Sequence, residues 1–294
     1  SRKGRASLRT GRRAAPQAGP DSAHNRTKPR LLSLDRPFLA ALGVADAQQR
    51  LVPAMARKWK QIDKFLEIID AALKSSPLAQ HQPIEVLDFG AGKGYLTFAL
   101  HDHLRNTLGR DAQVTGVEIR PDMVDLCNGI AARLGLQDLR FELGDVGSYA
   151  PRPVDVMIAL HACDTATDHA IHMGIRGGAA LICCAPCCHK QLRPQLLSPH
   201  PLRPILQHGV HLGQEAEMLT DGLRALLLDA CGYDAQVFEF VSLEHTAKNK
   251  MILAVKRAQP ADNHQLLEQV RAVKAFYGIR EQCLETLLKA DALL

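Results

Sequence analysis

The stretch Pro83-Ile84-Glu85-Val86-Leu87-Asp88-Phe89-Gly90-Ala91-Gly92-Lys93-Gly94-Tyr95-Leu96-Thr97-Phe98 decides the fold. Ile84 to Leu87 is a short apolar run with β-branched residues, set off by Pro83, and predicts a buried strand. Three glycines follow at alternate positions, and Tyr95 to Leu100 then continues with apolar residues at helical spacing. A second strand, Gln113 to Val117, ends on Glu118. Strand, glycine turn, helix, strand and terminal acid make a nucleotide-binding βαβ unit. The glycines let the backbone approach a ligand where a Cβ would collide. Glu118 is placed to accept both ribose hydroxyls of an adenosine.

A dinucleotide site expects G-x-G-x-x-G with a helix N-terminus facing a pyrophosphate. Here Asp88 precedes the first glycine in an Asp-x-Gly-x-Gly-x-Gly pattern. A carboxylate there repels a pyrophosphate and suits the ammonium of a methionine moiety. The turn therefore resembles motif I of class I S-adenosylmethionine-dependent methyltransferases; the plainer alternative is a glycine turn of some other α/β protein. The resemblance implies S-adenosylmethionine as cofactor, held by Asp88, Gly90, Gly92, Gly94, Glu118, Asp145 and Val146. In that family pattern Asp145 lies near the adenine amino group and Val146 donates from its backbone. Asp145, in Gly144-Asp145-Val146 after the third strand, is also an ordinary turn former.

The 294 residues allow one large or two modest domains with a sizeable core. No apolar run approaches the ~20 residues of a membrane span, so no membrane partner is expected. The first thirty residues are basic without an apolar core, so no secretory leader is expected. The sequence opens at Ser1 without methionine, so residues upstream are expected. Eight cysteines include the pairs Cys183-Cys184 and Cys187-Cys188, in and just after an apolar strand. That placement favours reduced thiols and a cytoplasmic location over a disulfide framework.

Charge is uneven. Residues 1–30 hold nine Lys/Arg against Asp21 alone, +8, which leaves −3 of the total +5 for the rest. A disordered basic arm suits nucleic acid through counterion release, or it is a solvated low-complexity segment. Residues 53–73 predict a helix with Ile62, Phe65, Leu66, Ile69 and Leu73 on one face. Arg57, Lys58, Lys60 and Lys64 lie on its other face, with Trp59 beside them. That face is either an RNA surface with a stacking aromatic or, as tryptophan's usual burial favours, a solvated face whose Trp59 packs on the body.

Further strands are predicted at 139–143, 154–160, 179–184, 237–241 and 251–255, with helices from Arg120 to about Leu134, Thr165–Met173, Met218–Cys231 and one or two over 262–294. Arg193 to His211 is expected to be a substrate-facing loop or lid. The fold class is α/β: seven strands, the last hairpin antiparallel, match the Rossmann-like class I methyltransferase sheet. Residues 1–30 form the basic arm, 31–78 a helical N-terminal extension, 79–258 the methyltransferase domain and 259–294 C-terminal helices.

Two stretches at the carboxyl edge of the sheet carry unusual chemistry: Leu160-His161-Ala162-Cys163-Asp164-Thr165-Ala166-Thr167-Asp168 and Ala185-Pro186-Cys187-Cys188-His189-Lys190. With His245-Thr246-Ala247-Lys248-Asn249 they resemble a bacterial branch of S-adenosylmethionine-dependent methyltransferases, over about residues 24–257. The first two also resemble the eukaryotic tRNA acceptor-stem 2′-O-methyltransferase family. Asp164 stands where that family has glycine, and Lys190 where it has a second histidine. The resemblance implies methyl transfer to RNA, tRNA or rRNA, with no protein partner; small-molecule or protein methylation, and a non-catalytic RNA-binding module, are the alternatives. His161, Asp164 and His189 are candidate bases for a hydroxyl acceptor, or His161 and Asp164 cap the next helix. Cys187 is a candidate nucleophile, its thiolate favoured by His189 and Lys190, or a packed thiol. Cys163, Cys187, Cys188 and His189 have zinc-ligand chemistry, but adjacent cysteines chelate poorly and no C-x-x-C anchors them, so no metal is expected.

Overall fold

The computed structural model describes residues 30–197, 201–240, 250–259 and 263–294. Strand β1 (Ile84–Phe89) pairs in parallel with β2 (Ala112–Glu118), and β2 with β3 (Leu139–Leu143). On its other side β1 pairs in parallel with β4 (Val156–Ala159), and β4 with β5 (Leu181–Cys184). β7 (Lys250–Lys256) runs antiparallel between β5 and β6 (Tyr233–Glu239). The resulting order, β3-β2-β1-β4-β5-β7-β6, is the class I methyltransferase sheet expected from the sequence. Strand order reverses between β1 and β4, and a doubly wound sheet opens its ligand crevice at the carboxyl ends there.

The continuous apolar runs reflect burial on both faces. Ile84, Val86, Val156, Ile158, Leu181 and Cys183 pack with one cluster. Leu87, Phe89, Met157, Ala159, Ile182 and Cys184, their alternating neighbours, pack with the other. The first layer is built from α1 (Pro37–Ala41), α2 (Ala56–Ser75), α3 (Tyr95–Asp102) and α4 (Pro121–Arg133). The second holds α5 (Thr165–Arg176), α6 (Arg203–Leu206), α7 (Gly209–Ala230), α8 (His264–Tyr277) and α9 (Cys283–Ala290). β3 is an edge strand, and Asn128 of α4 covers part of its backbone: its Nδ2 donates to the Phe141 carbonyl and its Oδ1 accepts from the Phe141 amide, each at 2.8 Å.

The helices preceding β1 pack on the body within one unit, Leu31–Leu294. Phe38 stacks on Phe98 at 6.3 Å, and the fully buried His103 faces Asp70 of α2, Nε2 to Oδ1 at 3.1 Å. Trp59 is 1% exposed, so it is a core residue and not a base-stacking platform.

Three expectations need correction. α7 begins at Gly209 rather than Met218, because Leu212, Ala216, Leu219 and Leu223 extend one buried stripe toward its start. β6 begins at Tyr233, directly after the Gly232 turn; as an edge strand it leaves Asp234 exposed, so its first half carries little apolar signal. The described part of the crossing from Arg193 to His211 is not a lid, for Leu196 and Leu206 are buried in the second layer. The arm of residues 1–29 and the His245–Asn249 motif lie outside the described residues. No described helix is long and apolar enough to cross a membrane.

Candidate active site

At the carboxyl ends of β1, β2 and β3 lies a cavity of about 500 Å³, within the usual range for small-ligand sites. Its walls include Asp88, Gly90, Gly92, Glu118, Asp145 and Val146, six of the seven residues expected to hold a cofactor. Gly94, the seventh, is buried behind the turn in a left-handed conformation (φ 70°); a Cβ there would lie 2.9 Å from the Phe141 ring. Gly90 is also left-handed (φ 73°), and its missing side chain lets the His161 backbone pass, 3.3 Å from where a Cβ would stand. The glycine turn thus both bends the chain and joins the tips of β1 and β4.

Glu118 lies at the rim. Its Oε2 accepts the Gly92 amide at 2.8 Å, and its Oε1 accepts the Arg120 amide and Nε at 3.1 and 3.2 Å. Burial pushes its carboxyl up, but the Gly92 and Arg120 bonds outweigh this and hold it below the usual range. Asp88 behaves oppositely. It is buried, accepts the Thr97 hydroxyl at 2.7 Å, and faces the charge of Glu118. Burial is the main cause of its rise to about 7, with Thr97 opposing and Glu118 adding. Asp145 Oδ1 accepts the Gly147 amide at 2.8 Å, so this acid shapes its turn while also lining the cavity.

The candidate catalytic residues separate. His161 lines the cavity together with Cys163, and Lys58 of α2 forms the facing wall. Crowding by the cavity walls lowers the His161 pKa, Lys58 lowers it further, and Glu118 partly opposes them. Its exposed surface faces this concavity, which is how an accessible imidazole is also partly desolvated. Lys58 donates to Gln61 at 2.7 Å and sits 5.2 Å from the Tyr95 ring centroid, so the basic face of α2 is not wholly solvated.

Asp164, Cys187 and His189 are not among the lining residues. Asp164 occupies the N-cap of α5, but its carboxylate does not cap that helix. Oδ1 instead accepts the amides of Lys190 and Gln191 at 2.8 and 3.2 Å, tying the loop after β4 to the loop after β5. Its φ of 55° lies in the region that favours glycine. The Asp164 carbonyl accepts Arg224 Nη2 at 2.8 Å.

Arg224, on α7, is 1% exposed and was not legible as a site residue. It pairs with Asp168 through Nε and Nη2 at 3.1 and 2.6 Å, and with Asp221 at 3.4 Å. Gln282 adds a bond to Asp168 at 2.7 Å. His189 Nδ1 lies 3.9 Å from Asp221, whose carboxyl is pushed up to about 7, chiefly by burial. Asp168 and His189, prominent in the sequence motifs, are thus parts of a buried polar scaffold behind the site. Cys187 lies with Cys163 and Cys188, its Sγ at 3.0 and 3.6 Å from theirs. Burial, then the adjacent sulfurs, push its thiol up to about 12, opposite in sign to the activation expected from His189 and Lys190.

Residues 57–195 match the model of a family described as "Methyltransferase domain". The glutathione S-transferase C-terminal domain-containing proteins of Homo sapiens and Macaca fascicularis are each 23% identical to this chain; the match covers 68% of the chain and 33% of either relative. The chain thus spans about a third of the length of these curated relatives. Among solved structures, magnesium protoporphyrin IX methyltransferase from Synechocystis PCC 6803 with bound S-adenosylhomocysteine is 15% identical, with 75% of this chain and 92% of that one covered and a TM-score of 0.44. A dimethyladenosine transferase from Plasmodium falciparum is 13% identical, with coverage of 77% and 74% and a TM-score of 0.41. At this level the likeness does not distinguish one methyl acceptor from another. The sheet order and the matched domain agree on a methyltransferase fold.

Proposed function

We propose that this chain is an S-adenosylmethionine-dependent methyltransferase acting on RNA, tRNA or rRNA. One observation carries the reading: Asp88, Glu118 and Asp145, an acid from the carboxyl end of each of three adjacent strands, line a single glycine-walled cavity. Glu118 would take the ribose hydroxyls, Asp145 and Val146 the adenine edge, and Asp88 the ammonium beside the turn at Gly90 and Gly92. Bound S-adenosylmethionine supplies an electrophilic methyl group on a sulfonium. The protein's task is then to align a nucleophile in line with it and, for a hydroxyl acceptor, to remove a proton. His161 suits the second task, since its lowered pKa keeps the ring neutral near pH 7 and it faces the cavity. Asp164 and His189 are assigned to positioning, through the interloop bonds of Asp164 and the contact of His189 with Asp221. Support for RNA comes from the resemblance of the edge motifs and the +8 charge of residues 1–30, joined by Lys58 in the cavity wall.

The deciding experiment is transfer of tritiated methyl from labelled S-adenosylmethionine to total RNA, followed by nucleoside analysis. A single labelled nucleoside is expected; label in a protein or small-molecule fraction would move the acceptor class. Binding of S-adenosylhomocysteine is measured alongside by calorimetry. Glu118→Ala is expected to weaken it by ~1.5–3 kcal/mol through lost charged hydrogen bonds, and unchanged affinity would sink the cofactor assignment. His161→Ala is expected to lower the rate by ~10²–10⁴-fold with that affinity intact.

A further inference from the structure

Cys163, Cys187 and Cys188 bring three sulfur atoms within 4.8 Å of one another. They come from two loops, after β4 and after β5, and all eight cysteines are free thiols. Zinc with Zn–S of about 2.3 Å and tetrahedral angles holds its sulfurs about 3.8 Å apart. The separations of 3.0 Å for Cys163–Cys187 and 3.6 Å for Cys187–Cys188 both fall short of that spacing, by about 0.8 and 0.2 Å, so small side-chain rotations that open them would seat the ion. The adjacency of Cys187 and Cys188 does not prevent this, because their sulfurs already lie on the same side, toward Cys163.

The loops are also fixed relative to each other. The Asp164 carboxylate binds the Lys190 and Gln191 amides, and the Asp164 carbonyl is held by the buried Arg224. The residue beside Cys163 and the residues just after Cys188 are therefore tied in one hydrogen-bonded unit, which pre-organises the triangle. A disulfide would consume two of these thiols and leave the third without a role; a metal uses all three. Cys163 is exposed and lines the cavity, giving an ion a path of entry. Among the described residues no fourth Cys, His, Asp or Glu donor joins the group, and water can serve as the fourth ligand of such an ion.

We propose that Cys163, Cys187 and Cys188 form a three-thiolate site for one soft divalent cation of the zinc class, at the rim of the cavity. Binding converts three thiols to thiolates and releases three protons to solvent, with water as the fourth ligand. The site stands on side-chain geometry alone and does not depend on methyl transfer.

The test uses the full chain purified under reducing conditions. Metal analysis after zinc loading and desalting is expected to give one ion per chain. Cobalt titration is expected to give sulfur-to-cobalt charge-transfer bands and the visible bands of a four-coordinate ion. Single Cys163→Ser, Cys187→Ser and Cys188→Ser variants should each lose zinc affinity beyond the roughly 10–100-fold that loss of a supporting partner costs. Cys231→Ser, outside the cluster, should bind as the parent does. Circular dichroism and S-adenosylhomocysteine binding of the same variants establish that they are folded. Zinc below a tenth of an equivalent with all thiols titratable, or cobalt bands that persist unchanged in Cys163→Ser, would overturn the site. So would a Cys163–Cys187 disulfide that forms on mild oxidation as readily with zinc present as without it.

Discussion

At the residue scale, Asp88 and Asp164 are both acids in unfavourable places, for different reasons. Asp88 is buried with a carboxyl pushed up to about 7. An unfolded aspartate titrates near ~3.9, so between about pH 4 and 7 the folded chain holds the extra proton. The stabilisation from this proton is full below the unfolded value and is lost as pH rises through about 7. Asp88→Asn should remove that loss, raising the melting temperature of the ligand-free protein relative to the parent most at pH 8 and least at pH 5. Ligand affinity should move the other way: an ammonium needs the carboxylate, so S-adenosylhomocysteine binding tightens from pH 6 to 8 in the parent and is weak and flat in Asp88→Asn. A parent whose affinity did not change over that range would contradict the contact. Asp164 instead carries backbone strain at φ 55°, compensated by its bonds to the loop after β5. Asp164→Ala loses the bonds and keeps the strain, whereas Asp164→Gly loses the bonds and relaxes the backbone. Urea denaturation should therefore rank the parent above Gly and Gly above Ala, the last two separated by about 1 kcal/mol. Equal stability of the two variants would mean that the turn relaxes without its side chain.

At the scale of elements, α5, α7 and α9 meet at a buried ion network of Arg224, Asp168, Asp221 and Gln282. Removing one partner of such a pair leaves an uncompensated charge, so Arg224→Met is expected to cost about 3–5 kcal/mol. Because Arg224 also holds the Asp164 carbonyl, amide exchange in residues 161–168 should rise more than in β1 or β2. Exchange that rises uniformly would make the network a general stabiliser and not a support for this loop. None of this was visible in the sequence, since Arg224 lies 56 residues from Asp168 and reads as one more charged residue on a long helix. What was legible is local: the β1 turn, the acid ending β2 and the apolar runs of β4 and β5, where neighbouring residues report directly on burial. Strand β6 and the start of α7 were misread for the complementary reason. Edge position thins the apolar signal of β6, and Gly209 and Gly213 weaken the helical signal before Met218. The edge motifs were conspicuous, yet composition could not separate His161, which faces the cavity, from Asp168, which is buried behind it.

At the scale of the whole molecule, charge is divided between residues 1–30, at +8, and the remainder, at −3. A substrate drawn in by phosphate neutralisation would thus meet its main attraction in the N-terminal segment. The arginines of that segment have no aromatic residues among them, and base readout needs side chains held at fixed positions against base edges. The segment is therefore expected to add affinity without selecting the target. Each phosphate neutralised on a single strand contributes a slope of about −0.7 to the dependence of log K on log salt. Removing residues 1–29 takes away eight of the nine Lys/Arg, so the slope should flatten by up to about 6 if every one of them contacts a phosphate. The modified nucleotide should stay the same, because the cavity, His161 and Lys58 are untouched. The measurement is RNA binding across a salt series for parent and truncated chain, with nucleoside mapping of both products. An unchanged slope would confine RNA contact to the body. A truncated chain that methylated a different position would show that these residues choose the site, and would transfer specificity from the sheet edge to the N-terminal segment.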